Sequence, residues 1–168
     1  MSDDGMTNPF DAAVDPDRHF IWQRIVAADC EAFVITDWSM IEPDFDAEHF
    51  EGIRCFASMN PDDWHLVYDT VDGYRDAWLE YSRNFRAKRF AGLTSLQAIY
   101  RRTRLVDIEI VGNRALCHKK LTGDLLLEDG SMHTGSTQTL YRLHKREGRW
   151  KIVGFVGYLP YFPAEGAK

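Results

Sequence analysis

The carboxyl-terminal half of the chain is cut by three turn signals, Gly112-Asn113, Asp129-Gly130 and Glu147-Gly148, set 17 and 18 residues apart. The runs between them are rich in Val, Ile, Thr, Leu and Tyr, the composition of strands. That spacing admits strands of up to ~14 residues, about 45 Å at ~3.3 Å per residue. A chain of 168 residues folds to a radius of gyration of ~15 Å and a diameter of ~40 Å. Strands that long must bend, and Gly123, Gly135, Gly154 and Gly157 mark where bulges or corners can form.

Ahead of the strands the grammar is helical. Residues 1–14 carry no periodicity and read as a flexible arm, and 163–168 as a tail, leaving one domain over 15–162. Asp15-Pro16-Asp17 places a capping carboxylate before a proline at the first helical position. Trp22, Val26, Asp29/Cys30 and Phe33 then recur at helical spacing, predicting a helix of about 20 residues with Asp29 on or beside its apolar stripe. Asp37 is placed to cap a short second helix ending near Pro43, and 46–60 reads as irregular or as one short strand. Asn60-Pro61-Asp62-Asp63 repeats the cap-proline-acid grammar and predicts a turn of helix carrying Trp64 and Tyr68. Thr70 opens a longer helix whose Tyr74, Trp78, Tyr81 and Phe85 form one aromatic face, with Arg83, Arg86, Lys88 and Arg89 at its carboxyl end. Beyond Gly92 only strands are expected. Helices first and a meander second is the order of an α+β domain.

Composition narrows the function classes. Phe, Tyr and Trp make 22 of 168 residues, which excludes a disordered chain. A net charge of −6 argues against nucleic acid as partner. No apolar run approaches the ~20 residues of a membrane span, and the acidic start Met1-Ser2-Asp3-Asp4 lacks the order of a secretory signal, so a cytoplasmic protein is expected. Cys30, Cys55 and Cys117 read as buried free thiols. The histidines at 19, 49, 65, 118, 133 and 144 show no metal-ligand spacing, and no phosphate loop or dinucleotide fingerprint is present, so neither metal nor cofactor is expected.

Pairing each hairpin through its two-residue turn sets the register. In the first, Val106, Ile108 and Ile110 share a face with Ala115 and Cys117; in the last, Tyr141 and Leu143 share one with Trp150, Ile152 and Val156. Carried straight across the middle hairpin, the two apolar faces land on opposite sides. Either a bulge flips one strand, or both faces are covered, the outer one by a partner subunit.

The order of elements resembles the nuclear transport factor two-like superfamily, in particular its SnoaL-like members. The resemblance is carried by the first helix ending in Asp37-Trp38, the hairpin from Ile108 to Ala115 and the strand Gly148-Arg149-Trp150-Lys151-Ile152-Val153, and it extends over roughly 16–160. It implies N-terminal helices packed in a strongly curved antiparallel β-sheet, a cone-shaped α+β barrel with a pocket at its open end and a homodimer through the outer sheet face. Such cones host dehydratases, ketosteroid isomerases, polyketide cyclases, epoxide hydrolases and proteins without catalysis. This chain departs from the dehydratase pattern, with Phe33-Val34 where those enzymes carry a Tyr-Asp pair and Arg101-Arg102 where they carry a His. The isomerases' carbonyl-polarising Tyr corresponds roughly to Asp29, and their general base falls among Asp46, Glu48, His49 and Glu51.

Proton transfer in such a pocket needs a base with a shifted pKa and a donor for the developing oxyanion. The candidate catalytic residues are Asp29, His49, Glu51, His133 and Tyr141; Trp64, Tyr68, Tyr74, Trp78 and Tyr158 are candidates to line a site for a small hydrophobic or aromatic ligand. The plainer alternatives are a helix-edge Asp29 paired with Arg24 or another cation, a solvated His133 and aromatics that only fill the core. Two functions follow: a cofactor-independent isomerase, cyclase or dehydratase acting on a hydrophobic carbonyl compound, or a non-catalytic ligand-binding or dimeric accessory protein. The small subunit of an aromatic-ring dioxygenase is a third.

Overall fold

In the computed structural model, which describes residues 5–162, the first helix begins where its cap predicts: Asp15 accepts from the Arg18 backbone N–H, with Pro16 behind it. It is one rod in three parts, α1 (Pro16–Trp22), a π-helical stretch (Gln23–Ala28) and α2 (Asp29–Ile35), closed by Thr36 in a left-handed conformation. Residues 5–14 form no helix or strand but lie against this rod, Asn8 bonding to His19 and His19 to the Phe10 carbonyl. The outer part of the expected arm, 1–4, and the expected tail, 163–168, lie outside the described residues.

Asp37 caps a 3₁₀ turn (Trp38–Met40) through the Ser39 N–H. A 3₁₀ turn at Pro61–Asp63 also opens as predicted, but the chain does not continue as helix. Trp64 is extended, and β2 (His65–Tyr68) pairs antiparallel with β1 (Glu51–Arg54), which satisfies its backbone groups in the sheet. Thr70 caps α3 (Val71–Arg86), accepting from the Gly73 N–H at 3.2 Å. Its aromatic stripe is real: Tyr74, Trp78 and Phe85 are buried. A further helix, α4 (Ser95–Arg102), stands where only strands were expected. A Thr94/Gln97 capping box holds its start, and the motif T-x-x-Q is readable in the sequence.

The remaining strands are β3 (Thr103–Arg104), β4 (Ile108–Val111), β5 (Arg114–Leu121), β6 (Leu125–Leu126), β7 (Met132–His133), β8 (Thr137–Arg146) and β9 (Arg149–Pro160). The main sheet runs β2-β1-β9-β8-β5, with β3 and β4 both on the outer edge of β5. It is mixed rather than wholly antiparallel, because β1 pairs parallel with β9. Short strands reached through long connections can pair in either sense; local hairpins cannot.

The conflict between the two apolar faces is resolved by an arrangement outside both options. The middle hairpin leaves the sheet: β6 and β7 form a separate ribbon, and β5 pairs directly with β8, Ala115 opposite Leu143 and Cys117 opposite Tyr141. The inward faces of the first and last hairpins therefore coincide. Gly123 and Gly135 flank this excursion, and both have positive φ. Two irregularities in β9 add curvature, one at Val153 and one across Gly157-Tyr158, where Tyr158 takes φ 61°. The first shifts the phase of β9, so Phe155 rather than Val156 joins Trp150 and Ile152 inside. On the outer face Val111 and Leu116 are exposed. No helix among the described residues is long and apolar enough to cross a membrane.

At the first irregularity the backbone of Gly154 passes close to β1. A β-carbon there would lie 2.5 Å from the Glu51 carbonyl oxygen and 2.6 Å from Arg142 Nη2. Gly154→Ala is expected to push β1 off β9 and lower stability by ~1–3 kcal/mol, read as a lower urea midpoint; an unchanged midpoint would refute the close approach.

Candidate functional site

Between the helices and the concave face of the sheet lies a cavity of about 320 Å³, within the small-molecule range. Its inner end is organised by the π-helical turn. The Asp29 backbone N–H turns to the Val26 carbonyl, and the Ile25 carbonyl accepts from Lys119 Nζ at 2.7 Å. The same ammonium meets Asp29 Oδ2 at 2.5 Å, and Trp78 Nε1 donates to Asp29 Oδ1 at 3.1 Å. Lys119 is only 7% exposed. Burial works against its ammonium, yet the Asp29 carboxylate, with smaller help from Tyr141 and Cys30, holds its pKa above the ordinary lysine value.

Three phenols gather beside this pair. Tyr74 comes from α3, Tyr141 from β8 and Tyr158 from the bulge in β9, and all three line the cavity. Burial is the main cause that raises all three pKa values, so each stays a protonated donor at neutral pH. Tyr81 packs edge-on to Tyr158 with ring centroids 5.8 Å apart.

The other polar centre is built by α4 and the excursion. Arg102, the last residue of α4, donates through Nη1 to His133 Nε2 at 2.6 Å and through Nη2 to the Gly135 carbonyl. This assigns a neutral His133 whose Nε2 accepts. The ring also lies edge-on to Phe85 and Phe90. Burial, then the charges of Arg102 and Lys88, hold the His133 pKa below its ordinary value. Among the described residues no three His, Cys, Asp or Glu side chains come together to hold a metal ion.

Of the residues singled out in the sequence, Asp29, His133, Tyr141, Tyr74, Trp78 and Tyr158 line the cavity. Four lie elsewhere. His49 is exposed and pairs with Asp46 at 3.1 Å, and Glu51 is exposed and pairs with Arg142 at 3.1 Å. Tyr68 is buried against Tyr74 and Phe155, and Trp64 donates through Nε1 to the Ser58 carbonyl. Asp29 is cation-paired, with Lys119 in place of Arg24, which is instead held by Asp44. The cysteines are buried and unpaired, and burial pushes Cys30 and Cys117 to about 12.

Lys119 and Arg102 were not singled out as site residues. Lys119 follows from strand alternation, two residues beyond the inward Cys117. Arg102, which the resemblance sets where dehydratases carry a His, is placed beside the cavity once the Thr94 capping box is read.

No protein-family model matches the chain, and no curated protein matches it. Solved structures do resemble it. An NTF2-like protein of unknown function from Pseudomonas putida KT2440 is 14% identical with a TM-score of 0.54, over 94% of each chain. Another from Shewanella baltica OS155 is 14% identical with a TM-score of 0.53, over 86% of this chain and 94% of that one. The association domain of C. elegans CaMKII is 13% identical with a TM-score of 0.50, over 88% of this chain and 99% of that one. Likeness at this level shows the fold alone: this chain has the NTF2-like fold.

Two outcomes are expected from the site's electrostatics. Removing one partner of the pair, as in Asp29→Leu or Lys119→Met, is expected to cost ~3–5 kcal/mol of unfolding free energy, whereas the double variant Asp29→Leu/Lys119→Met recovers most of it. A fully additive double variant would show that the pair does not act as a unit. The second concerns pH. His133 and His144 both have folded pKa values held down, His144 by burial and then by Arg114 and Arg146. The unfolded chain therefore binds more protons between those values and ~6.5, so stability present above ~6.5 is lost as pH falls through that window. The paired carboxylates Asp17 and Asp46, also held low, act only below ~4. The melting temperature is thus expected to drop between pH 6.5 and 5, and less so in His133→Gln, whose amide oxygen can still accept from Arg102. A variant profile parallel to the parent's would exclude His133 as a contributor.

Proposed function

We propose that the chain binds a small, ring-containing and largely apolar molecule in this cavity. The observation that carries the reading is the cavity itself, walled by Phe33, Trp78, Tyr81, Phe85 and Ile99, with the Asp29–Lys119 pair and the Arg102–His133 contact among its polar lining. Aromatic walls suit flat ligands, each well-placed ring contact adding ~0.5–1.5 kcal/mol.

Binding is favoured over proton abstraction by the state of Asp29. Both its oxygens are engaged, one by Trp78 and one by Lys119, so neither can take a proton from a ligand without giving up a partner. One observation keeps a catalytic reading: Tyr141 lies close enough to Lys119 for each to affect the other's titration, and a phenol and an ammonium together suit a carbonyl oxygen that gains charge. In that reading Asp29 is the base and Tyr141 the donor, acting on a ketone without a cofactor.

A single probe, 2-tetralone, tests both. Calorimetry is expected to show saturable one-to-one binding, weakened ~2- to 10-fold in Tyr81→Leu. In deuterated buffer, NMR is expected to show exchange beside the carbonyl no faster than in buffer alone. Faster exchange that disappears in Asp29→Asn would replace binding by proton-transfer catalysis; absence of saturable binding would remove the cavity as a site for neutral ring compounds.

A further inference from the structure

The charges lining the cavity do not balance. Lys88, Arg102 and Lys119 face it against a single carboxylate, Asp29, and that carboxylate is taken by Lys119. A chain of net charge −6 thus presents an excess of positive charge inside its cavity.

Arg102 is the centre of that excess. It is 8% exposed, and among the described residues no carboxylate lies within ion-pairing distance of it. Its two hydrogen bonds go to neutral acceptors, the His133 ring and the Gly135 carbonyl, while its Nε is buried with no partner. Asp124 is exposed; its charge acts on Arg102, but the two form no ion pair. Lys88 beside it also has no ion pair among the described residues. A guanidinium removed from water without a counter-ion is costly, several kcal/mol after relaxation. Arginine remains charged under these conditions, so the fold keeps a buried cation for which its own residues supply only neutral acceptors.

We infer that the missing anion belongs to the ligand: the cavity takes an amphipathic organic acid, its planar carboxylate against the Arg102 guanidinium and its ring body against Phe33, Trp78 and Phe85. This rests on the proposed ligand-binding role of the cavity and adds the ligand's charge. A carboxylate matches the fork of guanidinium donors in shape and sign. It also neutralises the charge where the protein does not, leaving the Asp29–Lys119 pair undisturbed.

The test compares 2-naphthoate with its uncharged isostere 2-naphthamide, and 3-phenylpropionate with 3-phenylpropionamide, by calorimetry on the full chain. Each acid is expected to bind at least tenfold more tightly than its amide. Arg102→Met is expected to abolish that preference while keeping amide affinity, and to leave the ligand-free melting temperature equal or higher. Amides that bind as well as the acids would overturn the inference and leave the cavity reading standing. If neither acids nor amides bind, both fall. A lower ligand-free melting temperature in Arg102→Met with the acid preference intact would overturn it too, making Arg102 a clamp for the excursion. The acid-amide comparison on the unaltered protein decides the matter even if Arg102→Met does not fold.

Discussion

The contact on which the architecture turns is the ion pair between the half-buried Asp29 and the buried Lys119. It joins the first helix to the middle of the sheet, and through Trp78 Nε1 it joins both to α3. An ammonium this far from water is stable only if most of its hydrogen-bonding capacity is used. A regular α-helix would commit the Ile25 carbonyl to the Asp29 N–H four residues on. Here that N–H turns to Val26, and Ile25 is open to a side chain from across the core. The π-helical stretch is thus part of how the ammonium is accommodated, and it explains why the rod changes its winding directly before Asp29.

Closure of the sheet solves a second problem. With β5 paired to β8 directly, Cys117, Lys119 and Leu121 face the same side as Tyr141, Thr139 and Thr137. The displaced ribbon of β6 and β7 is put to other use. It packs Leu125 against Phe85, Phe90 and Ala98 in a core of its own, and it carries His133 over to Arg102. The bulge at Gly157-Tyr158 works similarly at the other end, bringing a phenol to the cavity from a strand whose alternation would otherwise send it elsewhere.

What the sequence revealed follows the range of the interactions involved. Caps at Asp15, Asp37, Asn60 and Thr70 depend on residues two or three positions away, and all four were legible. The register of the first hairpin was legible for the same reason. The aromatic face of α3 was clear from spacing, and it supplies Tyr74 and Trp78 to the cavity. Missed features have non-local causes: β1 runs parallel to β9 across about 100 intervening residues, and nothing near Glu51 or His49 states that they face solvent rather than the cavity. Helix α4 is the exception. Its capping box is local and as readable as the other caps, but Gly92 reads as the end of helical structure, which leaves Arg102 on a strand rather than at the end of a helix beside the cavity.

The two polar centres of the cavity differ in the respect that matters for recognition. At the inner end a positive and a negative charge meet at 2.5 Å and cancel, so that end presents to a ligand mainly the dipoles of phenols. Around Arg102 the charge is uncancelled, and the neutral His133 held against it contributes a lone pair but no negative charge. A ligand that is apolar throughout loses nothing at the inner end but leaves the guanidinium as costly as before. A ligand with both a ring and an anionic group offsets that cost, because the energy of bringing Arg102 out of water was already spent in folding. Affinity for the anion is therefore stored in the fold as an unpaired buried charge, and specificity follows from the distance between that charge and the aromatic wall.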